Sequence, residues 1–149
     1  MSQIVVSDST CLIALERIQR LDLLPAVFEK VWVPTAVARE FGQSLPWLLV
    51  KEPENPAAVA AFELLVDAGE AAAIELAREL NCEVILDDLQ ARRLAARQHV
   101  PCLGLLGVLL RAKRAGKLVA VRPLIDGLRA NKFFISEALV AEALRLAGE

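Results

Sequence analysis

The stretch Ile4–Leu15, which reads IVVSDSTCLIAL, decides how this chain folds. Its first residues are apolar and β-branched, which predicts a buried strand, and the apolar spacing after Cys11 predicts a helix. Asp8, Ser9 and Thr10 lie at the junction between the two elements. Ligands of an open α/β sheet bind where strands end and helices begin. Asp8 is therefore either a helix cap, a role open to the two hydroxyls as well, or the first residue of a site.

The bulk composition predicts one domain outside the membrane. The chain has 149 residues, and hydrophobic residues make up 56% of it, above the usual value of about 45–50%. The longest uninterrupted apolar run, from Val100 to Leu110, is shorter than the ~20 residues that a membrane-spanning helix needs. The start of the chain lacks the basic and apolar segments of a signal peptide. We therefore expect a single cytoplasmic domain, with the apolar excess used in helix packing and a subunit interface.

Charge and cysteine content argue against several kinds of site. The formal net charge is −2, so contact with nucleic acid must be local rather than spread over a basic surface. Aromatic residues make up 5% and tyrosine is absent, which argues against a base-stacking platform. The three cysteines are far apart in sequence and the only histidine is His99. This spacing argues against a zinc site and favours small core residues in a reducing compartment.

Short apolar runs alternate with helical patterns along the chain. After the first strand, the predicted strands are Val31–Val33, Trp47–Val50, Glu83–Leu86 and Pro101–Leu103. The alternation predicts an α/β fold: a three-layer sandwich in which a short parallel sheet of four or five strands has helices on both faces. The carboxyl edge of that sheet should bring Asp8 close to the residues that follow Leu86.

Two acids follow the strand that ends at Leu86. Asp87 and Asp88 could be a cap and a first-turn acid of the next helix, whose dipole favours negative charge there. Two adjacent acids after a fully apolar strand are nevertheless more than a cap requires, which favours a site. A further acid, Glu70, is predicted to begin a helix that runs to about Leu80, after a break at residues 67–69.

Helical periodicity distinguishes the remaining acids. At 100° per residue, Glu70 lies on the inward stripe of its helix, so its carboxylate needs a partner, whereas Glu75 and Glu79 are predicted to face outward. Glu40 lies in the last turn of its own helix, where the dipole opposes a negative charge, and borders the apolar face. The alternative is that Glu40 is a solvated residue beside Arg39.

These acids, in this order and on these elements, resemble the acidic set of a PIN domain. The resemblance is closest to small single-domain prokaryotic PIN-like proteins of the VapC-like toxin ribonuclease type. It covers essentially the whole chain, through residues 6–15, 33–40, 68–74, 86–92, 106–116 and 121–149. It implies a parallel sheet whose carboxyl edge gathers acids to hold Mg²⁺ or Mn²⁺. It also implies cleavage of RNA, often by the toxin of a toxin–antitoxin pair.

The resemblance assigns roles residue by residue. Carried over by position, the catalytic acids are Asp8, Glu40, Glu70 and Asp88. The metal ligands are Asp8, Glu70 and Asp88, with Asp87 as an additional ligand or a substitute. Ser9 or Thr10 matches the hydroxyl that supports the first aspartate. Hard carboxylate oxygens suit Mg²⁺ or Mn²⁺, and no histidine is then required. Positive charge for the RNA backbone has four candidates: Arg39, Arg92, Arg93 and Arg97.

Two positions depart from the family pattern. Cys11 stands where proline is usual, and Leu105 stands where a threonine hydroxyl is usual. The leading hypothesis is a metal-dependent endoribonuclease, the toxin partner of a small antitoxin protein. The alternative is a catalytically weak PIN-like module that binds RNA or a protein. The apolar tail with Phe133 and Phe134 further predicts a homodimer.

Overall fold

The computed structural model describes residues 4–149, which form a five-stranded, wholly parallel sheet between two layers of helices. The strand order is β3-β2-β1-β4-β5. The strands are β1 (Ile4–Ser7), β2 (Lys30–Val33), β3 (Leu48–Val50), β4 (Glu83–Ile85) and β5 (Cys102–Leu103). The predicted α/β fold class and all five predicted strands are confirmed.

Alternate side chains of the central strand β1 pack into two separate hydrophobic cores, one on each face of the sheet. Val5 packs into a large core, together with most of the helices that cover that face of the sheet. Val6 points the other way, into a smaller core that includes Ile74 and Leu94. Both valines are fully buried. A strand buried on both faces reads as a continuous apolar run, which is the pattern that predicted it.

Nine helices lie in the described part of the chain. The helices of the large core are α1 (Ser9–Arg17), α2 (Leu23–Val27), α3 (Thr35–Phe41), α7 (Leu105–Arg114), α8 (Arg122–Ala130) and α9 (Glu137–Ala147). Those of the smaller core are α4 (Pro56–Phe62), α5 (Ala68–Leu80) and α6 (Leu89–Arg97). None of these helices is long and apolar enough to cross a membrane.

Helix α5 begins earlier than the sequence pattern indicates. The prediction of a break at residues 67–69 is wrong, because Ala68 and Gly69 already belong to the helix and Asp67 is its N-cap. The Asp67 side chain accepts a hydrogen bond from the backbone N–H of Glu70 at 2.7 Å, and Glu70 Oε1 accepts one from the N–H of Asp67 at 3.2 Å. This reciprocal capping box stabilises a start that contains glycine.

The prediction that Glu75 faces solvent is also wrong, since its side chain is fully buried. Helix α4 packs against α5, and Glu79 accepts hydrogen bonds from the backbone N–H groups of Glu54 and Asn55 at 2.9 and 3.2 Å. The start of α4 is thereby fixed against the face that was expected to be open. Burial raises the pKa of Glu75, and the guanidinium of Arg78, bonded to it at 2.7 and 2.6 Å, works in the opposite direction.

Glu149 links the end of α7 to the start of α8. Glu149 accepts hydrogen bonds from Lys113 Nζ at 2.8 Å and from the backbone N–H groups of Val121 and Arg122 at 2.8 and 3.2 Å. These donors hold the pKa of Glu149 down at about 2. A carboxylate at the start of α8 also complements the helix dipole.

Candidate active site

The parallel register brings Asp8 and the end of β4 to the same edge of the sheet. Ser7, the last residue of β1, pairs with Ile85, the last residue of β4. Asp8 follows directly and is only 4% exposed. Its Oδ1 accepts a hydrogen bond from the backbone N–H of Cys11 at 3.0 Å, so Asp8 is the N-cap of α1. Asp8 is thus a helix cap, and its position at the strand ends also leaves it available as a residue of a site.

The environment of Asp8 disfavours its ionised form. Burial raises the pKa of this carboxyl group from 3.8 to about 7, against the opposing effect of the Cys11 N–H. Repulsion from Asp87, Glu70 and Asp67 contributes in the same direction as burial. Acids that shift one another's pKa in this way lie close together, which makes this edge of the sheet the candidate active site.

Glu70 joins this group from the first turn of α5. Burial raises its pKa from 4.5 to about 7, and repulsion from Asp67 and Asp88 adds to the effect. The N–H of Asp67 holds one of its oxygens and lowers the pKa. Glu70 therefore electrostatically couples the start of α5 to the start of α6.

Glu40 reaches the cluster from the end of α3. The hydroxyl of Ser9, which is buried, donates a short hydrogen bond to Glu40 Oε1. A Cβ atom placed on Gly69 would lie 3.4 Å from Glu40 Oε1 and 3.6 Å from Asp67 Oδ1. Gly69 therefore lies beside both carboxylates, where α3 and α5 meet.

Asp87 and Asp88 have different surroundings. Both oxygens of Asp87 face the backbone N–H of Leu105, at 3.2 and 3.3 Å, so this acid holds the start of α7. Burial raises the pKa of Asp87, while the Leu105 N–H and the nearby charge of Arg92 lower it. Asp88 is exposed and caps α6 through Oδ2, which accepts from Ala91 N at 3.0 Å. Its other oxygen has no donor within residues 4–149, so Asp88 is the freer of the two candidate ligands.

Gly104 lies close to Asp87 and to the guanidinium of Arg92. A Cβ atom at this position would stand 2.8 Å from Arg92 Nη1 and 3.2 Å from Asp87 Oδ1. Arg92 in turn donates to the backbone carbonyl of Leu86 at 3.2 Å. The side chain of Leu105, where a hydroxyl was expected from the resemblance, is fully buried in the large core. Only its backbone N–H reaches the acids.

The other candidates are placed around this cluster. Thr10 is exposed and, within residues 4–149, donates to no acid; of the two hydroxyls, Ser9 is the one that contacts a carboxylate. Of the four predicted RNA-binding arginines, Arg92 lies beside Asp87. The others are exposed and form no ion pair within the described residues: Arg39, Arg93 and Arg97. Their RNA-binding role stays a prediction.

Asp67 is the acid that the sequence reasoning missed. It is exposed, caps α5 and raises the pKa of both Asp8 and Glu70. A signal was present, since the pattern Asp67-Ala-Gly-Glu70 has the spacing of a capping box. Treating the alanine and glycine as a break concealed it.

The side chains at this edge have the donor atoms that a hard divalent cation prefers. Every candidate ligand at this edge is a carboxylate, and oxygen donors suit Mg²⁺ or Mn²⁺. Within residues 4–149, however, no three acid, histidine or cysteine side chains are already placed so that they could hold one ion. Asp8, Asp67 and Asp88 each direct one carboxylate oxygen to a helix N-terminus, where it accepts a backbone N–H. Ion binding would require these side chains to reorient.

A family model described as a PIN domain matches residues 4–149. The chain belongs to the PIN domain family. The match runs over every element that brings acids to the edge, from β1 to α6, and over α7 to α9 beyond them. No curated protein matches the chain. PIN domains are in general nucleases that use divalent metal ions, so membership of the family supports a nuclease.

Proposed function

We propose that this PIN domain is a Mg²⁺- or Mn²⁺-dependent endoribonuclease that hydrolyses phosphodiester bonds, and that it acts as the toxin of a toxin–antitoxin pair. The observation that carries the proposal is the convergence of carboxylates from four elements on one sheet edge. There Asp8 and Glu70 have pKa values of about 7. Burial raises both values most, and repulsion between the acids adds to the effect. This repulsion destabilises the fold unless a cation neutralises it.

The residues divide by what they can do at the edge. Asp8, Glu70 and Asp88 would hold the cation. When bound, the cation can supply a metal-activated water and neutralise charge on the phosphoryl oxygens. Glu40, whose carboxylate accepts the Ser9 hydroxyl, would orient the attacking water or accept its proton. Asp87 positions the cluster by fixing the start of α7 against β4.

The test is cleavage of a 5′-labelled single-stranded RNA by the purified protein in Mn²⁺, in Mg²⁺ and in EDTA. We expect cleavage only with a divalent cation, and loss of cleavage with Asp8→Asn, which removes the charge without removing the cap. The matched control is Asp126→Asn, because Asp126 is exposed on α8 and outside the cluster. Cleavage in EDTA, or a fully active Asp8→Asn variant, would rule out this mechanism.

A second candidate function is a catalytically weak module that binds RNA or a protein partner. It is favoured by the burial of the Leu105 side chain, which leaves no hydroxyl beside Asp87. A Leu105→Thr variant distinguishes the two functions. If cleavage by wild type is absent and appears in the variant, the weak module is the correct description.

Partners remain part of the proposal. A small antitoxin would neutralise the acids or cover the edge, and a cytoplasmic homodimer would bury apolar surface of the tail. Leu139 and Leu146 lie seven residues apart on α9 and are 51% and 60% exposed, and Phe134 before the helix is 88% exposed. Side chains spaced by seven residues share one face of a helix, which suits a self-complementary contact.

A further inference from the structure

A groove of about 260 Å³ begins next to the acid cluster and runs along α1. One wall is a stripe of α1 that includes Thr10, Ile13 and Arg17. The spacing i, i+3, i+7 places these side chains on one face of the helix. The opposite wall comes from the end of α8 and the turn after it, with Leu128, Lys132 and Phe133. The groove therefore has an apolar floor with a cation on each side.

Both cations are free to bind an anion. Arg17 and Lys132 are exposed, and neither forms an ion pair or a side-chain hydrogen bond within residues 4–149. Six other basic residues in the same range are paired with acids: Arg20, Arg78, Arg111, Lys113, Arg129 and Arg145. No acid lines the groove. Its charge is complementary to a polyanion.

The turn that carries Lys132 has an unusual backbone. Lys132 adopts φ of 68°, a left-handed conformation that is strained for a residue with a Cβ and that glycine adopts freely. The N–H of Phe133 bonds to the carbonyl of Leu128 at 2.9 Å and holds the turn closed. Phe133 is half-buried, with its ring packed on the large core and a part left open to the groove.

The groove continues from the acids at a scale that suits a nucleic acid strand. Thr10 lies in the first turn of α1, next to Ser9, whose hydroxyl holds Glu40. At about 1.5 Å per residue, Arg17 lies about 10 Å further along the helix axis, roughly three nucleotides stacked at about 3.4 Å. A strand whose scissile phosphate lay at the acid edge would reach both cations.

We propose that this groove is a subsite for single-stranded RNA, in which Arg17 and Lys132 bind phosphates and a base packs against the Phe133 ring. The proposal rests on the proposed ribonuclease function for the place of the scissile phosphate. An amphipathic helix of a partner protein is the competing occupant. The two unpaired cations and the absence of any lining acid favour RNA, because phosphate oxygens are the natural partners of such a pair.

The experiment measures binding of a fluorescein-labelled ten-nucleotide RNA by anisotropy, in EDTA so that metal-dependent cleavage is stopped, at several salt concentrations. The variant is Arg17→Ala/Lys132→Ala. The matched control is Lys30→Ala/Lys117→Ala, which also removes two exposed cations that form no ion pair within residues 4–149 but does not touch the groove. We expect the groove variant to bind more weakly. The slope of log affinity against log salt concentration should be shallower than that of wild type by about 1.4.

A third variant, Phe133→Leu, keeps the apolar packing and removes the aromatic face. Loss of one stacked base should weaken binding about fivefold or more with little change in the salt slope. If the groove variant binds as tightly as wild type, or if the lysine control is weakened equally, the subsite is wrong. In the first case the groove is left to a protein partner.

The cleavage assay in Mn²⁺ keeps this inference separate from the proposed function. Wild type that cleaves RNA, with a groove variant that binds and cleaves equally well, overturns the subsite and leaves the ribonuclease intact. Wild type that shows the expected pattern of binding in EDTA but never cleaves overturns the ribonuclease and supports the groove as an RNA-binding site.

Discussion

Replacing Asp8 by asparagine should make the metal-free protein more stable, and by an amount that depends on pH. Asparagine caps a helix about as well as aspartate, so the hydrogen bond from Cys11 N–H can persist. What the substitution removes is a negative charge on a side chain that is 4% exposed. The comparison therefore isolates the electrostatic cost of placing a carboxylate at this edge.

The magnitude follows from the raised pKa of Asp8. Its pKa moves from 3.8 in an exposed chain to about 7 in the fold. A group whose folded pKa is raised contributes its full stability below pH 4, and loses it as pH rises towards 7, because the unfolded chain releases the proton first. At 1.36 kcal/mol per unit this amounts to about 4 kcal/mol as an upper value, since a buried amide must also be desolvated.

The assay is urea unfolding followed by circular dichroism in EDTA between pH 4.5 and 8.5. The stability of Asp8→Asn minus that of wild type should rise by about 1.4 kcal/mol per pH unit and level off above pH 7. Asp8→Ala should be about 1 kcal/mol less stable than Asp8→Asn, because it loses the cap, and the exposed control Asp126→Asn should be as stable as wild type.

The same comparison can be made with metal. Saturating Mn²⁺, at a hundred times its dissociation constant, should stabilise wild type by about 2.7 kcal/mol and Asp8→Asn much less. Parallel curves for wild type and Asp8→Asn would show that Asp8 is an ordinary ionised cap and refute the reasoning.

Three further predictions concern the rest of the fold. Arg78→Ala leaves the buried Glu75 carboxylate without its cation and should lower the free energy of unfolding at pH 8, and lower it by less at pH 5, as urea titrations at both pH values would show. Glu149→Gln should lower the melting temperature at pH 7. That difference should shrink as pH falls from 4.5 towards 2, because the folded pKa is depressed. Wild type should be a dimer by light scattering at tens of micromolar and Leu139→Glu/Leu146→Glu a monomer; monomeric wild type would reject the interface.

Local patterns in the sequence were sufficient for the five strands. The apolar β-branched run before Asp8 predicted β1. Gly42 and Asn81 end α3 and α5, both with positive φ. These signals act within a few residues of where they are written. The capping role of Asp67 is also encoded locally, because its capping-box partner Glu70 lies only three residues away.

The errors and open choices arose where distant segments meet. Glu75 lies on the polar side of its own helix, and only the packing of α4 and the link from Glu79 to residues 54–55 bury it. Asp87 and Asp88 look equivalent in sequence. They differ because β5 pairs beside β4 and brings the N–H of Leu105 to Asp87 and not to Asp88. Such distinctions depend on register and layer packing, which no short window of sequence contains.

The acids of the edge have two opposed effects, and the balance explains how the fold tolerates them. Asp8, Asp67 and Asp88 each accept a backbone N–H at a helix start, worth about 1 kcal/mol apiece. Yet three helices that begin at one sheet edge bring these same carboxylates together, and the shared repulsion contributes to the raised pKa values of Asp8 and Glu70. An asparagine at any of these caps would keep the bond and lose the charge. Capping alone therefore does not explain why the acids are aspartates, whereas the proposed cation would, because it requires the negative charge.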